Sequence, residues 1–296
     1  MTDIAGSSSS YRSRADNVTA SACIVLVSTA GVVLNSSSIY IVFTSKHFPH
    51  AYGILCVVRN IHNLIVLTLI PLWGVPSILM EGPWQKPELG VVIGQLINSS
   101  YYGVIWTHLF IAINRFIAIN YALLYNRIYT NRRALIASVV IWICTFSATS
   151  IYYVGGCSLL FYRSLYQFNF DDAPCGHFLS LYIDFGSVMF VLSAMTIVDL
   201  ANLIRLRMKS KEAGEAMKSS VNITGEKRRR KRDIRFFVQS FLCGAVFVAG
   251  GLIYYIISRS FTTIWGRFFS TTTVWQLEHT FDGYFFVQII ALPNGV

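Results

Sequence analysis

An all-α membrane protein, a seven-transmembrane helix bundle with its N-terminus outside and its C-terminus inside, is the fold class that this sequence predicts. Three observations predict it. Apolar residues fill 54% of the 296 positions and charged residues only 13%, against roughly 25% charged in ordinary soluble domains. Seven apolar stretches, 21–43, 54–80, 89–119, 134–156, 178–204, 236–257 and 277–296, approach or exceed the ~20 residues a helix needs to cross ~30 Å of hydrocarbon. Twelve of the 24 Lys and Arg residues crowd between Arg205 and Arg235, and such an excess marks a cytoplasmic connection.

Residues 1–20 read as an extracellular tail, and 21–296 as the bundle. The tail holds no apolar run that would serve as a cleavable signal, so the first span is expected to target the membrane itself. Asn17-Val18-Thr19 is a glycosylation sequon that agrees with an outside terminus. Arg12 and Arg14 before the first span, against Lys46 after it, argue weakly for the reverse orientation. The whole chain outweighs them, with eighteen basic residues inside and six outside. The second and third spans exceed the minimum length, which fits tilted helices or projecting ends. Between the fourth and fifth spans lies a polar connection holding Cys157 and Cys175. These two are the disulfide candidates, since Cys23, Cys56, Cys144 and Cys243 sit inside apolar runs.

Lys227-Arg228-Arg229-Arg230-Lys231-Arg232 would suggest a nucleic-acid patch in a soluble protein. Here it abuts the sixth span, so it reads as an orientation anchor that also attracts acidic membrane lipids, each basic residue contributing on the order of 1 kcal/mol. Nucleic acid is not expected as a partner; a cytoplasmic protein meeting this basic extension is. The seventh stretch is the weakest. Glu278, His279 and Asp282 crowd its start and the chain ends just past Pro293.

Ionisable groups at membrane depth are expensive and face the bundle interior or an interface. Arg59, near the cytoplasmic end of the second span, either snorkels to the interface or serves inside the bundle. Asp184, below the outer end of the fifth, meets either a helix partner or a ligand amine. Asp199 is expected to hold the inner half of that helix, and His62, His108 and His279 to make helix-to-helix hydrogen bonds. Gln95, Asn98 and Tyr102 share one face of the third span. With Tyr254, Tyr255 and Asp282 they would line an outward-facing ligand pocket, or else form a polar helix interface.

No CxxC pair or Cys/His array with zinc spacing occurs, so neither a metal nor a cofactor is expected. An enzyme would want paired carboxylates, and only Glu278, His279 and Asp282 cluster. A retinal-binding protein needs a Schiff-base lysine in its last span, and 277–296 has none. A small-solute membrane transporter is the rival reading, because polar residues in spans also mark substrate paths. Internal repeats would favour it, and none is visible between 21–156 and 178–296.

Asn114-Arg115-Phe116 closes the third span, followed by Tyr121 and Tyr125-Asn126-Arg127-Ile128-Tyr129-Thr130. At these residues the chain resembles the nematode serpentine chemoreceptors of class x, a G-protein-coupled-receptor-like family. The resemblance runs through Gly53-Ile54-Leu55-Cys56, Asn60, Trp73, Pro76, Gly94-Gln95, His108-Leu109 and Pro174-Cys175-Gly176. It continues through Tyr182-Ile183-Asp184-Phe185, Arg228 to Phe237, Gln239 and His279 to Gly283. It implies a plasma-membrane receptor, with the sensory neuron cilium as a candidate location. An external small molecule or peptide would bind outside and a heterotrimeric G protein inside, the latter at Arg115 with Asn114, Arg127, Arg229 and Arg230.

The chain also departs from rhodopsin-like receptors. Asn114 stands where they place an acidic residue, so either basal activity is higher or another group restrains Arg115. No cysteine lies near Glu88 to Gly94, and the resemblance makes a Cys157 to Cys175 bridge the expected replacement, contributing roughly 3 kcal/mol by loop closure. Gly250-Gly251 replaces a proline hinge, and Leu292-Pro293-Asn294 replaces an Asn-Pro motif.

Overall fold

The computed structural model describes residues 13–44, 50–80, 86–216 and 223–291. Helix α1, Arg14–Thr44, starts where Ser13 accepts the Asp16 amide at 3.0 Å. Its buried face, Ala20, Ser21, Ile24, Ser28, Gly31, Asn35 and Ser38, recurs every three or four residues and is mostly small. Small side chains let neighbouring backbones close in where lipid offers no hydrophobic drive. Helix α2, His50–Leu79, carries Pro71 and Pro76 in its interior, which packed membrane helices tolerate.

Helix α3, Pro87–Asn120, opens on an N-terminal proline and is the bundle's central post, touching α2, α5, α7, α8 and the hairpin described below. A short helix α4, Ala122–Ile128, follows. The fourth span, α5 at Asn131–Ala148, is capped by Thr130 and ends in a 3₁₀ turn, Thr149–Tyr153.

Strands β1, Leu159–Tyr162, and β2, Gln167–Phe170, pair antiparallel with Leu159 opposite Phe170 and Tyr162 opposite Gln167. The predicted polar connection is therefore a structured hairpin. Leu159, Tyr166, Phe168 and Phe170 are buried on the bundle, and an apolar face needs such cover.

The fifth span joins α6, Pro174–Phe178, a π-helical segment, Leu179–Phe185, and α7, Gly186–Ala216. The sixth, α8 at Ile223–Tyr255, takes in the basic run and passes Gly250-Gly251 without a break; a 3₁₀ turn, Ile257–Ser260, follows. The seventh joins α9, Ile264–Phe268, a second π segment, Phe269–Thr273, and α10, Val274–Ala291. Packing of α1 on α2, α10 on α1 and α8 on α10 closes the ring.

Six of these helices are long and apolar enough to cross a membrane. The seventh misses that measure because buried Gln276, Glu278, His279 and Asp282 lower its hydropathy. It begins at Ile264, well ahead of the expected 277, so those groups sit in mid-helix instead of at the mouth. Leu292-Pro293-Asn294 and residues 1–12 lie outside the described residues.

Candidate functional site

At the hairpin end, Asp184 gathers three donors from two other spans. Tyr102 and Tyr255 each donate a hydroxyl to it, and Asn98 donates at 3.2 Å. Asn98 also donates to the Tyr152 hydroxyl. Asp184 lies inside the π segment, where the wider turn re-aims a side chain relative to the helix on either side; such turns concentrate at functional sites. A carboxylate at this depth is tolerable because it is so fully hydrogen-bonded.

Beside it Asn98, Tyr101, Leu159, Asp184, Tyr254, Tyr255, Trp275 and Glu278 enclose a small chamber of about 20 Å³. Tyr254 and Tyr255 also wall a larger cleft of about 400 Å³, lined further by Gln167, Asp171, His177, Arg259 and Arg267. The hairpin roofs the chamber. Tyr254 donates to the Phe168 carbonyl at 3.0 Å, Thr272 to the Tyr166 carbonyl at 2.7 Å, and Tyr166 to Asn17 Oδ1 at 2.6 Å.

A disulfide joins Cys157 to Cys175 across a Cα separation of 5.0 Å at the hairpin's base. Asp171 steadies the same end, accepting from the Ser158 amide at 3.1 Å and the Tyr162 hydroxyl at 3.2 Å. Partial burial first, then the Asp171 carboxylate, push the Tyr162 phenol up to about 12. It therefore stays a donor at physiological pH.

Deeper in the bundle a second polar centre ties four spans. Arg59 on α2 and Asp282 on α10 form a buried ion pair at 3.0 Å, and His108 on α3 lies 3.3 Å from the same carboxylate. Asn63 donates to Asp282 at 2.7 Å and to Asn35 at 2.9 Å, while His279 Nδ1 stands 2.7 Å from Asn63 Oδ1 and so serves as the donor. Between them these bonds reach α1, α2, α3 and α10.

The opposite end of α3 carries Arg115, only 8% exposed. It donates to the Tyr52 hydroxyl, and its guanidinium lies 5.1 Å from the centroid of that ring. Asn114 accepts from Tyr125 of α4 at 3.3 Å. Asp199 on α7, also buried, is within electrostatic reach of Arg115.

A sequence profile of the serpentine-type seven-transmembrane chemoreceptor family Srx matches residues 25–289. The chain belongs to the Srx family. Its similarity to serpentine receptor class X 45 of Caenorhabditis elegans is 25% identity over 213 residues, covering 68% of this chain and 58% of that relative's length. The fold is similar to that of squid rhodopsin, with a TM-score of 0.72 over 94% of this chain and 81% of that one at 14% identity. That likeness is one of fold alone. The last span of this Srx chain, now Ile264 to Ala291, contains no lysine to hold retinal.

The Srx chain brings Asn98, Asp184 and Tyr254 to one chamber, and sets Tyr102 against the Asp184 carboxylate beside it. Gln95 and Asp282 stand elsewhere. Gln95 is spent on the Phe146 carbonyl of α5 at 3.2 Å, because it faces the fourth span. Asp282 lies in the Arg59 pair, because the seventh helix starts earlier and carries it to depth. Arg59 serves the bundle interior instead of snorkelling. Asn17 sits within α1 and holds Tyr166, a placement that does not suit a glycan acceptor on a surface loop.

Arg127 is exposed beyond α3, and Arg229 and Arg230 lie on α8, on a part of that helix where no side chain is described. Sequence reading left four chamber residues out of the pocket: Tyr101, Leu159, Trp275 and Glu278. Tyr101 neighbours a named residue, and Trp275 precedes Glu278 by one helical turn, a spacing the misplaced span start concealed.

Proposed function

We propose that this Srx chain is a chemoreceptor of the plasma membrane. An external cue enters the cleft beneath the hairpin, and a heterotrimeric G protein is engaged at the opposite face. The observation that carries the reading is the cleft itself. It falls within the size range of small-molecule sites, stands at one end of the bundle and backs onto the Asp184 network, which links three spans.

The coupling face is that of Arg115, Asn114, Arg127 and the basic end of α8 with Arg229 and Arg230. Tyr52 holds Arg115 in a resting position, filling the place of the acidic restraint that Asn114 lacks. A cue shifts the population toward a released Arg115 only as far as it binds that state more tightly. The charge asymmetry supports a hairpin end that faces the outside of the cell.

The test is cue-evoked signalling per surface receptor for wild type, Arg115→Lys and Arg115→Ala. Coupling through the planar guanidinium predicts loss in both variants at preserved surface expression. Equal signalling from all three would end the coupling role of this residue.

A further inference from the structure

We infer that the cue is a small organic primary amine, its ammonium group seated in the chamber against Glu278. This rests on the reading that the cleft beneath the hairpin takes the cue. Glu278 is only 3% exposed, lines the chamber, and among the described residues makes no hydrogen bond or ion pair with any protein group. Asp184 across the chamber already has three donors, so the two carboxylates differ. One is satisfied by the protein, and the other has no donor among the described residues.

The surroundings fit a cation. Tyr101, Tyr254 and Trp275 line the same chamber, Tyr101 lying edge-on to Trp275 at 5.7 Å between ring centroids. Aromatic faces attract a desolvated cation. On the far side, Gly250 of α8 makes room for the carboxylate, since a β-carbon there would stand 1.7 Å from Glu278 Oε1. The missing proline hinge is thus a notch for an acid.

Size narrows the class further. A chamber of about 20 Å³ admits one water-sized group, which suits an ammonium and not a trimethylammonium. The rest of the molecule lies in the 400 Å³ cleft, reached past the shared wall of Tyr254 and Tyr255.

The full chain at the surface of cultured cells provides the test, read by second messenger per surface receptor. The probes are primary alkylamines and arylalkylamines, with the same skeletons as alcohols, carboxylates and trimethylammonium salts. Responses confined to primary amines are expected, with Glu278→Gln raising the half-maximal concentration about tenfold or more. Responses to amines unchanged by Glu278→Gln overturn the inference, and so does silence across the amine panel.

Cues that are alcohols or acids and weaken with Tyr254→Ala would overturn the amine assignment while leaving the cleft as the binding site. Cues that act alike on wild type and Tyr254→Ala would instead remove the cleft reading. Should Glu278→Gln fail to reach the surface, thermal protection of purified wild type decides, and equal protection by amines and alcohols counts against the inference.

Discussion

Arg59 and Asp282 illustrate how a single pair governs tolerance to change in a membrane core. Removing one partner leaves the other charged and buried, which destabilises by about 3–5 kcal/mol, whereas apolar replacement of both is often neutral or better. Arg59→Leu and Asp282→Leu alone are expected to abolish most surface expression, and the double variant to recover part of it. Flow cytometry of the four receptors measures this, and additive losses would show that the two residues act separately. Tyr52 offers a residue-scale prediction about signalling. Tyr52→Phe keeps the ring but deletes the hydroxyl that Arg115 donates to, and higher cue-independent second messenger at matched surface expression is expected. Unchanged basal output would remove Tyr52 as the restraint.

The hairpin is the element on which the site depends, and it is held by contacts of different kinds. Cys157→Ser and Cys175→Ser are each expected to lower surface expression as far as the double change, because either one opens the same bridge; additive losses would argue against a shared role. A β-carbon at Gly94 would stand 2.0 Å from the Leu159 carbonyl oxygen. Backbone there has no flexible end to move aside, so Gly94→Ala should displace β1 and weaken responses to every cue while the bundle still reaches the surface. Equal responses to all cues would mean that the hairpin's seat is not needed. The spans were legible because twenty apolar residues leave little else to be. The hairpin was not, because in β2 the buried Phe168 and Phe170 alternate with Gln167 and Asn169, and both strands are far too short to stand out from a polar connection. The seventh span was misplaced for the opposite reason. Buried acids at Glu278 and Asp282 look like a membrane mouth unless Arg59, 223 residues upstream of Asp282, is known to meet one of them. Asn98, Tyr102 and Asp184 were legible as a set because helical spacing fixes a face, but no spacing rule says which neighbour a face meets, and so Gln95 was grouped with them.

At the scale of the whole molecule, the orientation proposed from charge is open to a direct test. A tag inserted near Gly214, at the end of α7 and among the twelve basic residues, should be reached by antibody only after permeabilisation; labelling of intact cells would reverse the topology. The two π segments, Leu179–Phe185 and Phe269–Thr273, lie in the hairpin-side halves of the fifth and seventh spans. Each wide turn accommodates one residue more than an α-helical turn. Deleting a residue there restores the regular helix with both flanking halves close to their original phase, because the wide turn already absorbs the extra residue, and re-aims only side chains within the segment itself. In the fifth span that segment carries Asp184, so the loss of a single residue there would re-aim the carboxylate beside the chamber without disturbing the end that carries Arg115.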